Sequence, residues 1–153
     1  MKITTARIST LLLAGLITAG SSLVAADCTN TTTLAAGGTS GSICSVAAFT
    51  SGANSTVNGA LNAKAAVTLG ATSKVNGLVN AGAAYTSGDS ARVTGNVTAG
   101  AAYSSGANSV VTGDVNAAGD ITLGANSHIT GSVHSGTGVI TYGAGATVGS
   151  VLP

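Results

Sequence analysis

From Gly52 to Thr141 the chain repeats with an 18-residue period, and that period restricts its fold more than any single residue does. The blocks open at Gly52, Gly70, Gly88, Gly106 and Gly124, and each carries apolar residues at its sixth, tenth and sixteenth places. A unit this short cannot bury a core alone, so each copy must lie on the next and the molecule must be a quasi-one-dimensional stack. Place 6 holds Val57, Val75, Val93, Val111 and Ile129; place 10 holds Leu61, Val79, Val97, Val115 and Val133; place 16 holds Val67, Tyr85, Tyr103, Ile121 and Val139. Small residues stand two positions from the first two of these, at places 4 and 12. Residues two apart on a strand face the same way, so the pairs 4/6, 10/12 and 16/18 all point inward. Three strands per coil follow, with corners at Gly-Ala (places 1 and 2), at Asn-Gly or Thr-Gly (7 and 8) and at a small pair (13 and 14), where glycine is expected to supply the corner conformations.

The fold class is therefore all-β: a single-domain triangular parallel β-helix, or solenoid, with 18-residue coils. Helix is excluded by the β-branched content and the recurrent glycine, and collagen by the lack of glycine at every third place. A mean hydropathy of +0.50 argues against a disordered chain. The ladder starts before Gly52, because Gly41, Ile43, Ser45 and Phe49 fall on places 8, 10, 12 and 16 of a partial coil. After Thr141 the register slips. Tyr142 reads as one residue extra, and the final GAGATVGSVLP restarts the motif without its seventh place. Tyr85 and Tyr103 are expected to stack in adjacent coils.

Residues 1–26 carry a basic start (Lys2, Arg7), an apolar run (Leu11, Leu12, Leu13, Leu16, Ile17) and a small-residue end at Val24-Ala25-Ala26, the pattern of a secretory signal cleaved near Ala26. The run is too short and too interrupted for the ~20 residues of a membrane span, so no transmembrane segment is expected in the mature chain. The expected location is secreted, periplasmic or extracellular. In an oxidising compartment Cys28 and Cys44 pair as a disulfide. It closes a 17-residue segment, worth ~3 kcal/mol in the chain-entropy account. The organisation predicted is a signal peptide over 1–26, a disulfide-linked N-terminal cap and partial first coil over 27–48, and solenoid repeats over 49–153.

The expected mature chain has three cations, Lys64, Lys74 and Arg92, against Asp27, Asp89, Asp114 and Asp120, a net charge of 3 − 4 = −1. With four aromatics and no basic stripe it is no nucleic-acid binder. No Ser-elbow, P-loop, paired-His or Cys-x-x-Cys motif occurs, so neither an enzyme, a metal site nor a cofactor is expected. His128 and His134 project from different faces. The apolar spacing of 4, 6 and 8 also departs from the every-sixth-residue pattern of sugar-nucleotide acyltransferase β-helices.

Of the three outward faces, places 15 and 17 are the flattest and least charged: Ala66/Thr68, Ala84/Thr86, Ala102/Ser104 and Asp120/Thr122, then Gly138/Ile140. Such a strip of methyls and hydroxyls suits an ordered, repetitive partner. The stretches AVTLGATSKVNGLVNA (Ala66–Ala81) and DITLGANSHITGSV (Asp120–Val133) resemble the closing coils of the ice-binding-like family, a secreted right-handed β-solenoid, over nearly all of Phe49 to Val151. The coils are also similar to those of bactofilins, bacterial solenoids that polymerise end to end. The first resemblance implies adsorption to ice, or to another ordered surface, through Thr68, Thr86, Ser104 and Thr122 with Ala66, Ala84 and Ala102. The second implies a self-assembling structural or adhesive protein of the cell surface or envelope, associating through its solenoid ends.

Overall fold

The computed structural model describes residues 28–153; the signal expected over 1–26, its cleavage point and Asp27 lie outside the described residues. Among the described residues nineteen short strands follow one another without a helix: β1 (Thr33–Leu34), β2 (Thr39–Ser40), β3 (Ile43–Ser45), β4 (Phe49–Ser51), β5 (Thr56–Val57), β6 (Leu61–Ala63) and β7 (Val67–Leu69). Next come β8 (Lys74–Val75), β9 (Val79–Ala81), β10 (Tyr85–Ser87), β11 (Arg92–Val93), β12 (Val97–Ala99) and β13 (Tyr103–Ser105). The last are β14 (Val110–Val111), β15 (Val115–Ala117), β16 (Ile121–Leu123), β17 (His128–Ser135), β18 (Ile140–Tyr142) and β19 (Thr147–Leu152).

Every third strand pairs in parallel, which produces the three walls of a β-solenoid. β1, β4, β7, β10, β13, β16 and β18 form one seven-stranded wall. The columns β2-β5-β8-β11-β14 and β3-β6-β9-β12-β15 form the other two and meet on β17, which runs through the corner between them. The register is the 18-residue repeat itself, as in Leu61↔Val79, Val79↔Val97, Val97↔Val115 and Val115↔Val133.

The pairs 4/6, 10/12 and 16/18 point inward as the alternation requires. Val57, Val75, Val93, Val111 and Ile129 are buried, as are the place-10 column and the alanines Ala63, Ala81, Ala99 and Ala117 beside it. Each fully buried Val, Leu or Ile contributes ~1.5–3 kcal/mol, so the columns together outweigh any surface contact. One corner of the interior is hydroxylated. Ser51, Ser55 and Ser73 are buried and linked, Ser73 donating to the Gly52 carbonyl at 3.0 Å, and no buried side-chain polar atom lacks a partner among the described residues.

The corner glycines act differently from the sequence-based expectation. The residue with left-handed backbone is at place 3: Asn54, Thr72, Ser90, Asn108 and Asn126 have φ of 54 to 58°. These are mostly the small polar residues that tolerate that region. Place 3 is thus a corner residue and not part of an outward strand face. The place-1 glycines are needed for close approach. A Cβ on Gly70 would stand 2.5 Å from the Gly52 carbonyl carbon, and one on Gly106 2.5 Å from that of Gly88.

Both ends depart from the 18-residue register. The 28–48 segment carries β1, β2 and β3, and its first turn is short: Thr33↔Thr50 and Thr39↔Thr56 are 17-residue steps, and the Thr29↔Ile43 bridge is a 14-residue step. Cys28 and Cys44 are joined in a disulfide. Beside it Thr29 donates to the Ser42 carbonyl at 2.8 Å and accepts from the Cys44 N–H at 3.0 Å. Two hydrogen bonds, at ~0.5–1.5 kcal/mol each, do not offset ordering three residues at ~1–2 kcal/mol each. The cystine is therefore what holds this rung in place.

At the other end Ala117↔Ser135 keeps the 18-residue step, whereas Ile121↔Ile140 is a 19-residue step. The extra residue thus lies in the Gly136–Val139 turn and not at Tyr142. Val139, expected inside at place 16, is 49% exposed, and Ile140 takes its place. Gly149 alone then answers Thr130 and Gly131, and the 18-residue register returns at Ser132↔Ser150.

The glycine argument predicts that Gly70→Ala lowers stability by roughly 1–3 kcal/mol, because only backbone faces the new methyl. Gly41→Ala, which meets nothing within 4 Å, should change it by less than about 0.5 kcal/mol. Denaturant melts of the two variants check the contrast.

Candidate functional site

Two features of the fold are candidates for function: the outer surface of the seven-stranded wall and the two ends of the stack. On the wall, Thr68, Thr86, Ser104 and Thr122 are brought into one row by the pairings Thr68↔Thr86, Thr86↔Ser104 and Ser104↔Thr122. The threonines are exposed and Ser104 is half-buried. Ala66 and Ala84 are half-buried and Ala102 exposed, each just before its strand, where the Ala66, Ala84 and Ala102 carbonyls accept the ladder N–H groups of Phe49, Val67 and Tyr85 at 2.8–3.0 Å.

The row is longer than the sequence reading made it. Thr50 pairs with Thr68, Thr33 with Thr50 and Thr141 with Thr122, so seven consecutive rungs present a hydroxyl. Thr141, and not Ile140, closes the row, a consequence of the extra residue before β18. The signal for Thr33 and Thr50 lay in the partial first coil, but the 17-residue step hid Thr33 from an 18-residue count.

Behind the row the wall is braced by stacked tyrosines. Tyr85 and Tyr103 are buried with ring centroids 5.0 Å apart and planes 7° from parallel. Burial pushes both phenols well above their ordinary range. At Tyr85 the neighbouring Tyr103 adds to the rise, and hydrogen bonds with Ser87 and Ser105 oppose it at Tyr85 and Tyr103 respectively.

Elsewhere on the surface, some side chains bond from one coil to the next. Asn76 donates to Asn58 at 2.8 Å and Asn80 to Asn62 at 2.7 Å, two short amide ladders. Asp114 accepts from both the N–H and the hydroxyl of Ser132 at 2.8 Å, which holds its carboxyl below the usual range. His128 lies 2.6 Å from the Thr147 hydroxyl, and His134 sits in the Leu152 register, six residues further along β17. Among the described residues there is no cavity and no cluster of three metal-ligating side chains. No helix among them is long and apolar enough to cross a membrane.

The two ends differ in their side chains. At the N-terminal end Thr29, Asn30, Thr32 and Thr33 are exposed and polar, while Val46 on the same first coil is 64% exposed with Ala47 and Ala48 beside it. At the C-terminal end Ile140 and Val148 close the core, while Val139, Tyr142, Val151 and Leu152 are each about half exposed, between 45 and 54%. β19 is a six-residue edge strand whose outer side no described strand covers. Exposed apolar edges of this kind are templates for association.

A family model for bactofilins, described as polymer-forming cytoskeletal, matches residues 49–150, two thirds of the sequence. The chain belongs to the bactofilin family. Of the two resemblances read from the coils, the bactofilin one is thus supported and the ice-binding one is not. Searches of curated proteins and of solved structures returned no match. The matched span of this bactofilin begins at β4 and ends inside β19, so the cystine and the short first turn lie outside it.

The tyrosine pair sets a pH dependence. Its phenol pKa values are raised in the folded state, so their contribution is complete below the ordinary value of 10.0 and is lost as pH rises past it, when the unfolded chain releases protons that the folded chain keeps. Stability should fall by up to ~1.4 kcal/mol per pH unit for each tyrosine above about pH 10. Chemical melts across that range should show the slope for the native chain and a flatter one for Tyr85→Phe/Tyr103→Phe.

Proposed function

We propose that this bactofilin is an exported structural protein that self-assembles by stacking solenoid ends, coil on coil. The observation that carries the reading is the apolar C-terminal rung, where Val139, Tyr142, Val151 and Leu152 stand about half exposed beside a strand edge that no described strand covers. Stacking another solenoid there would extend the parallel ladder and remove those side chains from water, which are the interactions that hold each internal coil. The family description as polymer-forming supports the same reading. Export is supported by the signal pattern of 1–26 and by the Cys28–Cys44 cystine, since disulfides persist in oxidising compartments. The role is mechanical and needs no reaction.

Val151→Arg puts a charge on the stacking surface without touching an internal coil. Sedimentation at increasing concentration should show association weakened at least tenfold, or ~1.4 kcal/mol, with the circular dichroism of the coils unchanged. Unaltered association would overturn the end-stacking reading.

A second reading is adsorption to ice or another ordered surface through the hydroxyl row, and what favours it is the row's extension to seven rungs. A rigid array loses little conformational freedom on binding, so many weak contacts can add. If the row adsorbs, the purified chain shapes ice crystals and Thr86→Lys abolishes the shaping with the fold intact; crystals that grow unshaped in its presence would remove this reading.

A further inference from the structure

One outward column of the stack sets two cations side by side. The pairings Thr56↔Lys74, Lys74↔Arg92 and Arg92↔Val110 put these residues on successive coils of one wall, with Lys74 and Arg92 both exposed. Like charges directly opposite on neighbouring strands oppose their pairing. The stack does not need them there, because Thr56 and Val110 fill the same place on the coils before and after. Nor does a carboxylate of the column balance them. Asp89 accepts from the Ala107 N–H, Asp114 from Ser132 and Asp120 from the Thr137 hydroxyl, each at another place of the coil and each with a donor from the coil that follows. Two residues to either side in sequence, Thr72 and Asn76 flank Lys74, and Ser90 and Thr94 flank Arg92, all of them exposed hydroxyls or amides.

We propose that Lys74 and Arg92 form a binding site for an acidic polysaccharide, whose carboxylates meet the two cations and whose hydroxyls meet the polar residues flanking them. The arginine offers a planar fork that matches a carboxylate, and the lysine a mobile point charge beside it. The site is one residue wide: β8 and β11 are two-residue strands in which Lys74 and Arg92 face out while Val75 and Val93 are buried. That shape fits a polymer strand lying along the axis. A bilayer surface would instead be held by a broad basic face with apolar side chains to insert, and here the next residue of the column, Val110, is half-buried. One exposed cation pair binds weakly by itself. Coil-on-coil stacking repeats the pair along the wall every seven strand spacings, roughly 33 Å, so one polymer can span several copies. Linking weak sites in this way strengthens binding by roughly a hundredfold or more. This gain rests on the end-stacking reading above, whereas the pair itself does not.

The test is binding of the purified chain to immobilised polygalacturonate at low ionic strength, with sedimentation of the same samples to read assembly. The native chain should be retained and should be released by about 0.5 M salt, as contacts between exposed charges are. Lys74→Gln/Arg92→Gln should bind at least tenfold more weakly, roughly the effect of removing both charge contacts, with circular dichroism and sedimentation unchanged and no loss in a denaturant melt. Lys64→Gln, which removes a cation from outside the column, should stay within about twofold of the native chain. A native chain that assembles yet passes through unretained, a double variant that binds like the native chain, or a Lys64→Gln chain weakened as much as the double variant, would overturn the site and leave the end-stacking reading standing. Binding to phosphatidylglycerol vesicles without binding to polygalacturonate would overturn it in favour of a membrane surface. A native chain retained through the pair yet monomeric at the highest soluble concentration would overturn the end-stacking reading and leave the site in place.

Discussion

The contact between the backbone of one coil and the backbone of the next is what the rest of this molecule depends on. Each wall strand bonds to its counterparts one coil before and one coil after it, as at Val79 between Leu61 and Val97, and this requires whole coils to lie at strand spacing, corners included. Strands tolerate that approach because their side chains point in or out of the wall. Corners do not, and there a Cβ would run into the preceding coil's backbone, 2.5 Å away at Gly70 and as close at Gly124, which meets Gly106. Glycine recurs at place 1 for this reason, and the turning of the chain falls to the neighbouring Asn, Ser or Thr at place 3.

Close stacking also determines the interior. Each coil encloses one row of side chains per wall, too few to form a core of its own, so burial exists only between coils. The apolar columns run along the axis and stop at the ends, while the tyrosine stack and the linked serines each join neighbouring coils within it. An end coil therefore buries on one side only. It carries polar side chains, as at Thr29–Thr33, or presents apolar ones, as Val46, Tyr142 and Val151 do. The chain belongs to a family described as polymer-forming, and its C-terminal coil leaves apolar side chains exposed.

The flat hydroxyl row can be understood within the same constraint. Residues that repeat along a tightly spaced ladder must be small or must bond to their counterparts, and the surface does both: threonines on the seven-stranded wall, amide pairs at Asn58/Asn76 and Asn62/Asn80. Close stacking alone accounts for small residues in this row, and the family match is why assembly and not adsorption leads the functional reading.

The sequence by itself determined the repeat, the three strands per coil and the inward columns, because an 18-residue period with apolar residues two apart from small ones has one way to bury them. It also carried the tyrosine stack, since places that share a number share a column. Only the tertiary structure decided the ends. An insertion shows in sequence as a broken pattern but not as a location: the extra residue was legible at Tyr142, yet it sits in the Gly136–Val139 turn, because a turn absorbs a residue at less cost than a paired strand. The short first turn was invisible to an 18-residue count, so Thr33 and the covering of β3 by Thr29 emerged only once pairing partners were fixed. The reason glycine stands at place 1 was hidden likewise. A turn's φ is a local property that sequence can suggest, whereas the distance to a backbone one full coil away exists only in the folded stack.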